Sequence, residues 1–280
     1  LASLLDDKTF PLFTAGLGHT DKLCVAGVTK ALAISANYDT NRLTELLGRP
    51  EIFKPALIEI LGIVRKRLNA RELLKRAYDL EPREKAAVFK IIGDIAGPDL
   101  VPDLIARIEG KDPSVRLNII ELLSRFNQPE VARALERQLK DKNKMVRKAA
   151  LEALAAMPGD RDIGLICSLL ADPELEVQAR AVDLVVKLRH PDTMKHLVNV
   201  LKDESEFARR SAVEVLNEIA EPSTIKALLM ALEDGDWWVR SRASDALAKI
   251  GGPKVMDAVL QLVGDKNENI RRSAIEILNQ

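Results

Sequence analysis

The chain has 280 residues, 47% hydrophobic, 30% charged and only 4% aromatic, and its 42 Lys and Arg balance 42 Asp and Glu. That much apolar material supports a large core, whereas zero formal net charge disfavours a surface built for nucleic acid or anionic lipid. No run of about 18 apolar residues is present to cross a bilayer, and the opening residues do not read as a secretory leader.

Residues 1–40 carry helical spacing without a repeat register, as in "DKLCVAGVTKALAIS" from Asp21 to Ser35. The opening "LASLLDD" and the closing "AIEILNQ" both read as helix interiors, so the chain is expected to be a piece of a longer protein. From residue 41 a register emerges. Phe53, Leu57 and Leu61 hold it loosely; Leu73, Ala77, Asp79, Lys85, Val88 and Ile92 hold it one period later. From Val115 it is strict. Steps of 31 residues connect Val115, Val146, Val177, Ala208, Val239 and Ile270, six copies without an insertion or deletion. The next column reads Arg116, Arg147, Gln178, Arg209, Arg240 and Arg271. Four past the first column stand Ile119, Ala150, Ala181, Ala212, Ala243 and Ala274.

Each unit reads as two helices. In the second, apolar residues at offsets 0, 4, 7 and 8 share one face. The first has its own apolar columns, Leu104, Leu135, Ile166, Leu197, Leu228 and Val259, then Ile108, Leu139, Leu170, Leu201, Leu232 and Val263. Pro98, Pro129, Pro191, Pro222 and Pro253 recur where a first helix should begin, a position that needs no N–H. Gly97, Gly159 and Gly252 precede it and are expected to be left-handed helix ends. Asp112-Pro113 and Asp172-Pro173 read as N-caps followed by first-turn prolines. Two short helices cannot bury their apolar faces alone, but stacked units can. The expected fold is all-α, a right-handed α-solenoid of about eight or nine antiparallel helix pairs. Residues 1–66 should form irregular N-terminal helical repeats and 67–280 a regular array, together one continuous solenoid.

The pattern LxDxxxxVRxxAxxAL, as in "LKDKNKMVRKAALEAL" from Leu139 to Leu154, resembles HEAT repeats. It is most similar to the short HEAT-like class also found in phycobilisome lyases and artificial α-helical repeat proteins. The resemblance implies a ladder along the turns built from Asp141/Arg147, Asp203/Arg209, Asp234/Arg240 and Asp265/Arg271. An arginine fork can serve a carboxylate and turn carbonyls at once. Gly110 replaces the aspartate before Arg116 and Gln178 the arginine after Asp172, so the ladder should weaken there.

Little in the sequence points to chemistry. The three histidines, His19, His190 and His196, form no triad or metal spacing. Cys24 and Cys167 are far apart, and Cys167 sits at an apolar helix position, so a reduced thiol in a cytoplasmic setting is expected. Phosphate loops, GxSxG and CxxC motifs are absent. No catalytic, cofactor-binding or metal-binding residue is assigned, and the chain is read as not an enzyme. An acidic column, Glu121, Glu152, Asp183, Glu214, Asp245 and Glu276, has Lys148, Arg210 and Arg272 four residues earlier and reads as i,i+4 pairs on a solvated face.

The two tryptophans, Trp237 and Trp238, are adjacent. Taking Val239 as the centre of the buried face, and about 100° per residue, Trp237 points about 160° from the core and Trp238 about 100°. Earlier units place Met145, Leu175 and Phe207 in the same two columns. Two readings stand. The rings pack over a neighbouring helix, or they form an apolar patch with a charged rim on the concave face. The second reading takes Trp237, Trp238, Phe207 and Met145, with Arg210, Glu214, Arg242 and Asp245, as partner-binding residues. The expected function is a protein-interaction scaffold or regulatory module. Its partner is a protein or peptide, not nucleic acid or membrane, and the oligomeric state is left open. The alternative, by resemblance of repeats alone, is a phycobilin lyase-like subunit or a HEAT-like DNA glycosylase.

Overall fold

A computed structural model describes residues 1–279, and these contain eighteen α-helices and no strand. The chain divides into two compact units, Leu1–Phe126 and Asn127–Gln280. The first contains α1 (Phe10–Gly16), α2 (Lys22–Ile34), α3 (Arg42–Glu45), α4 (Lys54–Val64), α5 (Ala70–Arg76), α6 (Pro82–Ile95), α7 (Val101–Arg107) and α8 (Pro113–Leu123). The second contains α9 (Pro129–Gln138), α10 (Lys144–Ala156), α11 (Ile163–Ser168), α12 (Leu175–Leu188), α13 (Thr193–Val200), α14 (Glu206–Ile219), α15 (Ile225–Ala231), α16 (Trp237–Ile250), α17 (Gly252–Leu262) and α18 (Glu268–Leu278).

Odd- and even-numbered helices pack as consecutive pairs. Within each unit the even-numbered, second helices also pack on one another: α2 on α4, α4 on α6, α6 on α8, then α10 on α12, α12 on α14, α14 on α16 and α16 on α18. This is an α-solenoid arrangement. The repeat columns explain it. Val146, Val177, Ala208 and Val239 are at most 1% exposed, and the column four residues on, Ala150 to Ala274, is wholly buried. Alanine there lets successive second helices approach closely; a leucine would overpack the contact, at a cost of about 1–3 kcal/mol. Two apolar positions leave the pattern. Val263 is 38% exposed at the far side of the last pair, and Phe53, instead of filling a core column, is the N-cap of α4 with 55% of its surface exposed.

Side-chain caps fix where second helices begin. Asp112, Asn143, Asp236 and Asn267 accept bonds from backbone N–H groups two residues on, each worth about 1 kcal/mol. Asp112-Pro113 is the cap and first-turn proline its sequence implies. Asp172-Pro173 is not: α12 starts two residues later, with Glu174 at the N-cap. Asp172 instead receives the fork of Arg147. Gly159 and Gly252 have positive φ, 101° and 80°, but Gly97 has φ −101° and is an extended N-cap. Left-handed helix ends fall to Arg189 and Ala220 in two other units.

The turn ladder exists, with a different wiring. Arg147 and Arg209 each reach the backbone carbonyls of their own turn and the carboxylate of the following repeat. Arg147 Nη1 donates to the Asp141 carbonyl at 2.8 Å, while its Nε and Nη2 grip Asp172 at 2.7 Å each. Arg209 repeats this with the Asp203 carbonyl at 2.9 Å and the Asp234 carboxylate at 2.8 and 3.1 Å. Arg240 bonds the carbonyls of Asp234 and Gly235 and, among the described residues, no carboxylate; the acid of its own turn, Asp234, is held by Arg209. Gln178 keeps the carbonyl bond to Asp172 at 2.6 Å and makes none to a carboxylate. In the first unit Lys85 takes the arginine's place and binds Asp112 at 2.5 Å. The Lys85 ammonium, with Ser114, holds the Asp112 carboxyl down at about 2.

Candidate functional site

The second-helix face of Asn127–Gln280 carries all eight residues singled out from sequence. Its charges pair both between repeats and along single helices, but not in the i,i+4 pattern that the acidic column suggests. Arg210 does not pair with Glu214. It turns forward to Asp236 at 2.6 Å, and back along its own helix to Glu206 at 3.6 Å. Glu214 instead takes a two-pronged bond from Arg242 at 2.8 Å, and Asp245 stands 3.6 Å from the same arginine. Lys148 likewise reaches Glu176 of the next repeat, at 3.2 Å, and Arg180 reaches Glu152 of the previous one. Arg272 bonds Glu268. The expected i,i+4 pairs of Lys148, Arg210 and Arg272 with the acidic column are therefore replaced. The physical reason is angular. Lys148 and Arg210 stand at offset 2 and lean toward the following helix. Arg180 and Arg242 stand at offset 3, about 100° round, and lean toward the preceding one.

Two of these arginines lie against aromatic rings. The Arg210 guanidinium is 5.4 Å from the Phe207 ring centre, and that of Arg242 is 5.6 Å from Trp238. Both geometries favour cation–π attraction. The salt-bridged hydrogen bonds that Arg210 donates to Asp236 and Arg242 donates to Glu214 raise both arginine pKa values. The Arg210 bond in turn lowers that of Asp236.

The rings stand beside a groove of about 620 Å³ between α12 and α14. Ala179, Val182 and Val186 supply an apolar lining from α12. Phe207 and Ser211 line it from α14 and Trp238 from α16. Gln178 lies at its base, 6% exposed, accepting a hydrogen bond from Ser211 at 3.1 Å. Thus the groove opens at the one repeat of this unit whose ladder column holds glutamine.

The structure separates the tryptophan pair. Trp238 is half-buried and lines the groove; Trp237 is 66% exposed and does not. This follows from their angles to the core. Of the other residues singled out, Phe207, Arg210 and Glu214 line the groove, Arg242 borders it through Glu214 and Asp245 through Arg242, and Met145 stands exposed on α10, one repeat before the α12 wall. Sequence reasoning left out Val182 and Val186. Their signal was available: with Leu175, Gln178 and Ala179 they form an i, i+3/i+4 stripe outside the repeat's buried columns.

No group of three or more His, Cys, Asp or Glu able to hold a metal ion occurs among the described residues. His190 Nε2 lies 3.3 Å from Asp160 in a turn. Cys167 is buried, which pushes its thiol up to about 12, and both cysteines are free thiols. No helix is long and apolar enough to cross a membrane among the described residues.

No curated protein matches the chain. Among solved structures it is similar to Kap121p bound to Nup53p, with 14% identity over 96% of this chain and 36% of that one, at TM-score 0.53. It is similar also to yeast importin-β, Kap95p, in a Kap95–Nup1 complex, with 16% identity over 96% of this chain and 45% of that one, at TM-score 0.52. The chain thus spans less than half of either Kap protein. Human deoxyhypusine hydroxylase matches at 18% identity over 91% of this chain and 97% of that one, but its TM-score of 0.38 carries no argument. At these identities the likeness is one of fold: a repeat scaffold. In sequence, residues 70–155, 163–243 and 225–280 match the family described as HEAT repeats, and the chain belongs to that family.

Proposed function

We propose that the chain is a protein-interaction scaffold that seats a segment of a partner protein on the second-helix face of Asn127–Gln280. The observation that carries this reading is the row Leu175, Phe207, Trp237 and Trp238. These large apolar side chains are exposed or half-buried along three successive helices, beside a groove, and are rimmed by paired charges. Isolated exposed apolar residues need no explanation, but an aromatic centre inside a charged rim has the make-up of an interaction hot spot. In stacked helix pairs this face is commonly the concave, binding one. Groove charges of both signs, Asp183, Glu214 and Glu218 with Lys187 and Arg210, suit a polypeptide better than a polyanion. The Kap proteins of similar fold are bound to Nup53p and Nup1 in their structures, which supports a protein partner in general terms. Binding, not catalysis, is the activity assigned. Free thiols fit a reducing, cytoplasmic setting, and the 31-residue period supports the short class of HEAT-like repeats.

The test is a pull-down on the immobilised chain with identification of what is retained, repeated with the Phe207→Ala/Trp238→Ala variant. The variant should keep its helical circular dichroism and lose the retained protein at least tenfold. A variant that retains it equally well would move the binding surface elsewhere.

A further inference from the structure

A second groove lies in the other unit, between α2 and α4, and is larger, about 1100 Å³. We propose that it docks an amphipathic helix of a partner protein, with acidic residues on the flank facing α2 and basic residues on the flank facing α4.

Three observations carry this. First, the lining is apolar and lacks a cover. Ile34, Phe53 and Ile63 line it and are 63%, 55% and 55% exposed. Phe53 is the residue that leaves its expected core column to stand here. Second, the floor is made of small residues. Ala26, Thr29 and Ala33 follow one another at helical spacing on α2, and Ala56 faces them from α4. Small residues let a third backbone approach two others closely. The thirteen-residue α2 gives the groove a length of about 20 Å, or nearly four helical turns. Third, the walls carry opposite charge. Lys22 and Lys30 line the α2 side and Glu51 and Glu59 the α4 side. Among the described residues Lys22, Lys30 and Glu59 are exposed and make no ion pair with one another or with any other side chain. In the α12–α14 groove, by contrast, Arg210 is held by Asp236 and Glu206.

The occupant must also satisfy its own backbone. The two long walls, α2 and α4, are helices whose interior N–H and C=O groups are bonded internally, and Thr29, the hydroxyl in the floor, donates to the Val25 carbonyl at 2.8 Å. An extended segment would leave its peptide groups unpaired against these two walls, and an unpaired buried peptide group is costly. A helix brings its backbone already paired and offers an apolar stripe, the helix-in-groove mode of recognition. Charges at the two flanks then fix its direction and register.

The experiment is a displayed library of helices of about four turns, with a fixed Leu/Ala stripe and flanks randomised among Glu, Lys, Gln and Ser, captured on the full chain. The expected result is at least tenfold enrichment of Glu on one flank and Lys on the other. A labelled winner should bind at least tenfold more weakly to Phe53→Asp. The Lys30→Glu/Glu59→Lys variant should invert the flank preference, and Trp238→Asp should change nothing. No enrichment, enrichment without flank preference, or winners that survive Phe53→Asp would each overturn the proposal. Winners lost with Trp238→Asp would overturn it too, by assigning them to the other groove. Since the two grooves share no residue, failure here leaves the scaffold reading standing.

Discussion

The turn edge and the second-helix face of Asn127–Gln280 use arginine in opposite ways. At the turn edge, Arg147 and Asp172 form a fork-to-carboxylate pair with side chains 10% and 3% exposed. One and two columns further along the second helices, Arg210 and Arg242 are about one-third exposed and lie against aromatic rings. The first arrangement holds one repeat to the next where water is excluded. The second holds charges and rings in place where a partner can reach them. Residue type and column spacing are nearly the same; burial separates the two arrangements.

The comparison is sharpest at Arg147. Arg147→Ala strands the Asp172 carboxylate in a buried turn and removes two carbonyl bonds. The unfolding free energy should fall by about 3–5 kcal/mol, read from urea or thermal melts followed at 222 nm. Arg240→Ala is the matched control. It takes away only the bonds to the Asp234 and Gly235 carbonyls, and about 1–2 kcal/mol should be lost. Equal losses for the two would mean that the inter-repeat carboxylate contributes nothing. On the proposed binding face, Arg242→Ala breaks a pair about one-third exposed, worth under about 1 kcal/mol. A loss there as large as at Arg147 would erase the division between edge and face.

Acid should act on the edge as well. Lys85, with Ser114, holds the Asp112 carboxyl at about 2, below its ordinary value. A carboxyl depressed by folding contributes stability above its unfolded pKa. That stability is lost as pH falls through the folded value, so the window runs from about pH 4 down to about pH 2. Asp112 is 43% exposed, so the effect is modest. Asp112→Asn should flatten the slope of stability against pH in that window while leaving the slope above pH 5 unchanged. An unchanged slope below pH 4 would show that the Lys85 bond does not couple to folding.

What the sequence made legible follows from what repeats encode. The columns Val146, Ala150 and Leu154 and their 31-residue echoes gave the helices and their buried faces, because burial within a stack is set by local period. Partner choice is not local. Asp141 and Arg147 share a turn in sequence, yet the arginine's carboxylate is Asp172, one repeat on, and only the stacking geometry shows it. The same holds for Arg242 and Glu214. The groove between α12 and α14 depends on Val182 and Val186, which depart from no column that burial enforces. Phe53 shows the converse: a residue in register that the irregular turn before α4 leaves outside.

The smallest expected effect is optical, and it tests the face most directly. Trp237 is 66% exposed, whereas Trp238 is half-buried under the Arg242 guanidinium. Their different angles to the Val239 direction produce this difference, so it should persist in the free chain. Emission from Trp238→Phe, which reports Trp237 alone, should be red-shifted and readily quenched by iodide. Emission from Trp237→Phe should lie a few nanometres to the blue and be less accessible. Arg242→Ala should then raise the quenching of Trp238 and leave that of Trp237 unchanged, since only one ring has the guanidinium over it. Blue-shifted, protected emission from Trp237 would mean that its ring folds back over a neighbouring helix. The aromatic row would then be packing, and the partner surface would reduce to the groove lined by Phe207, Trp238 and Val182.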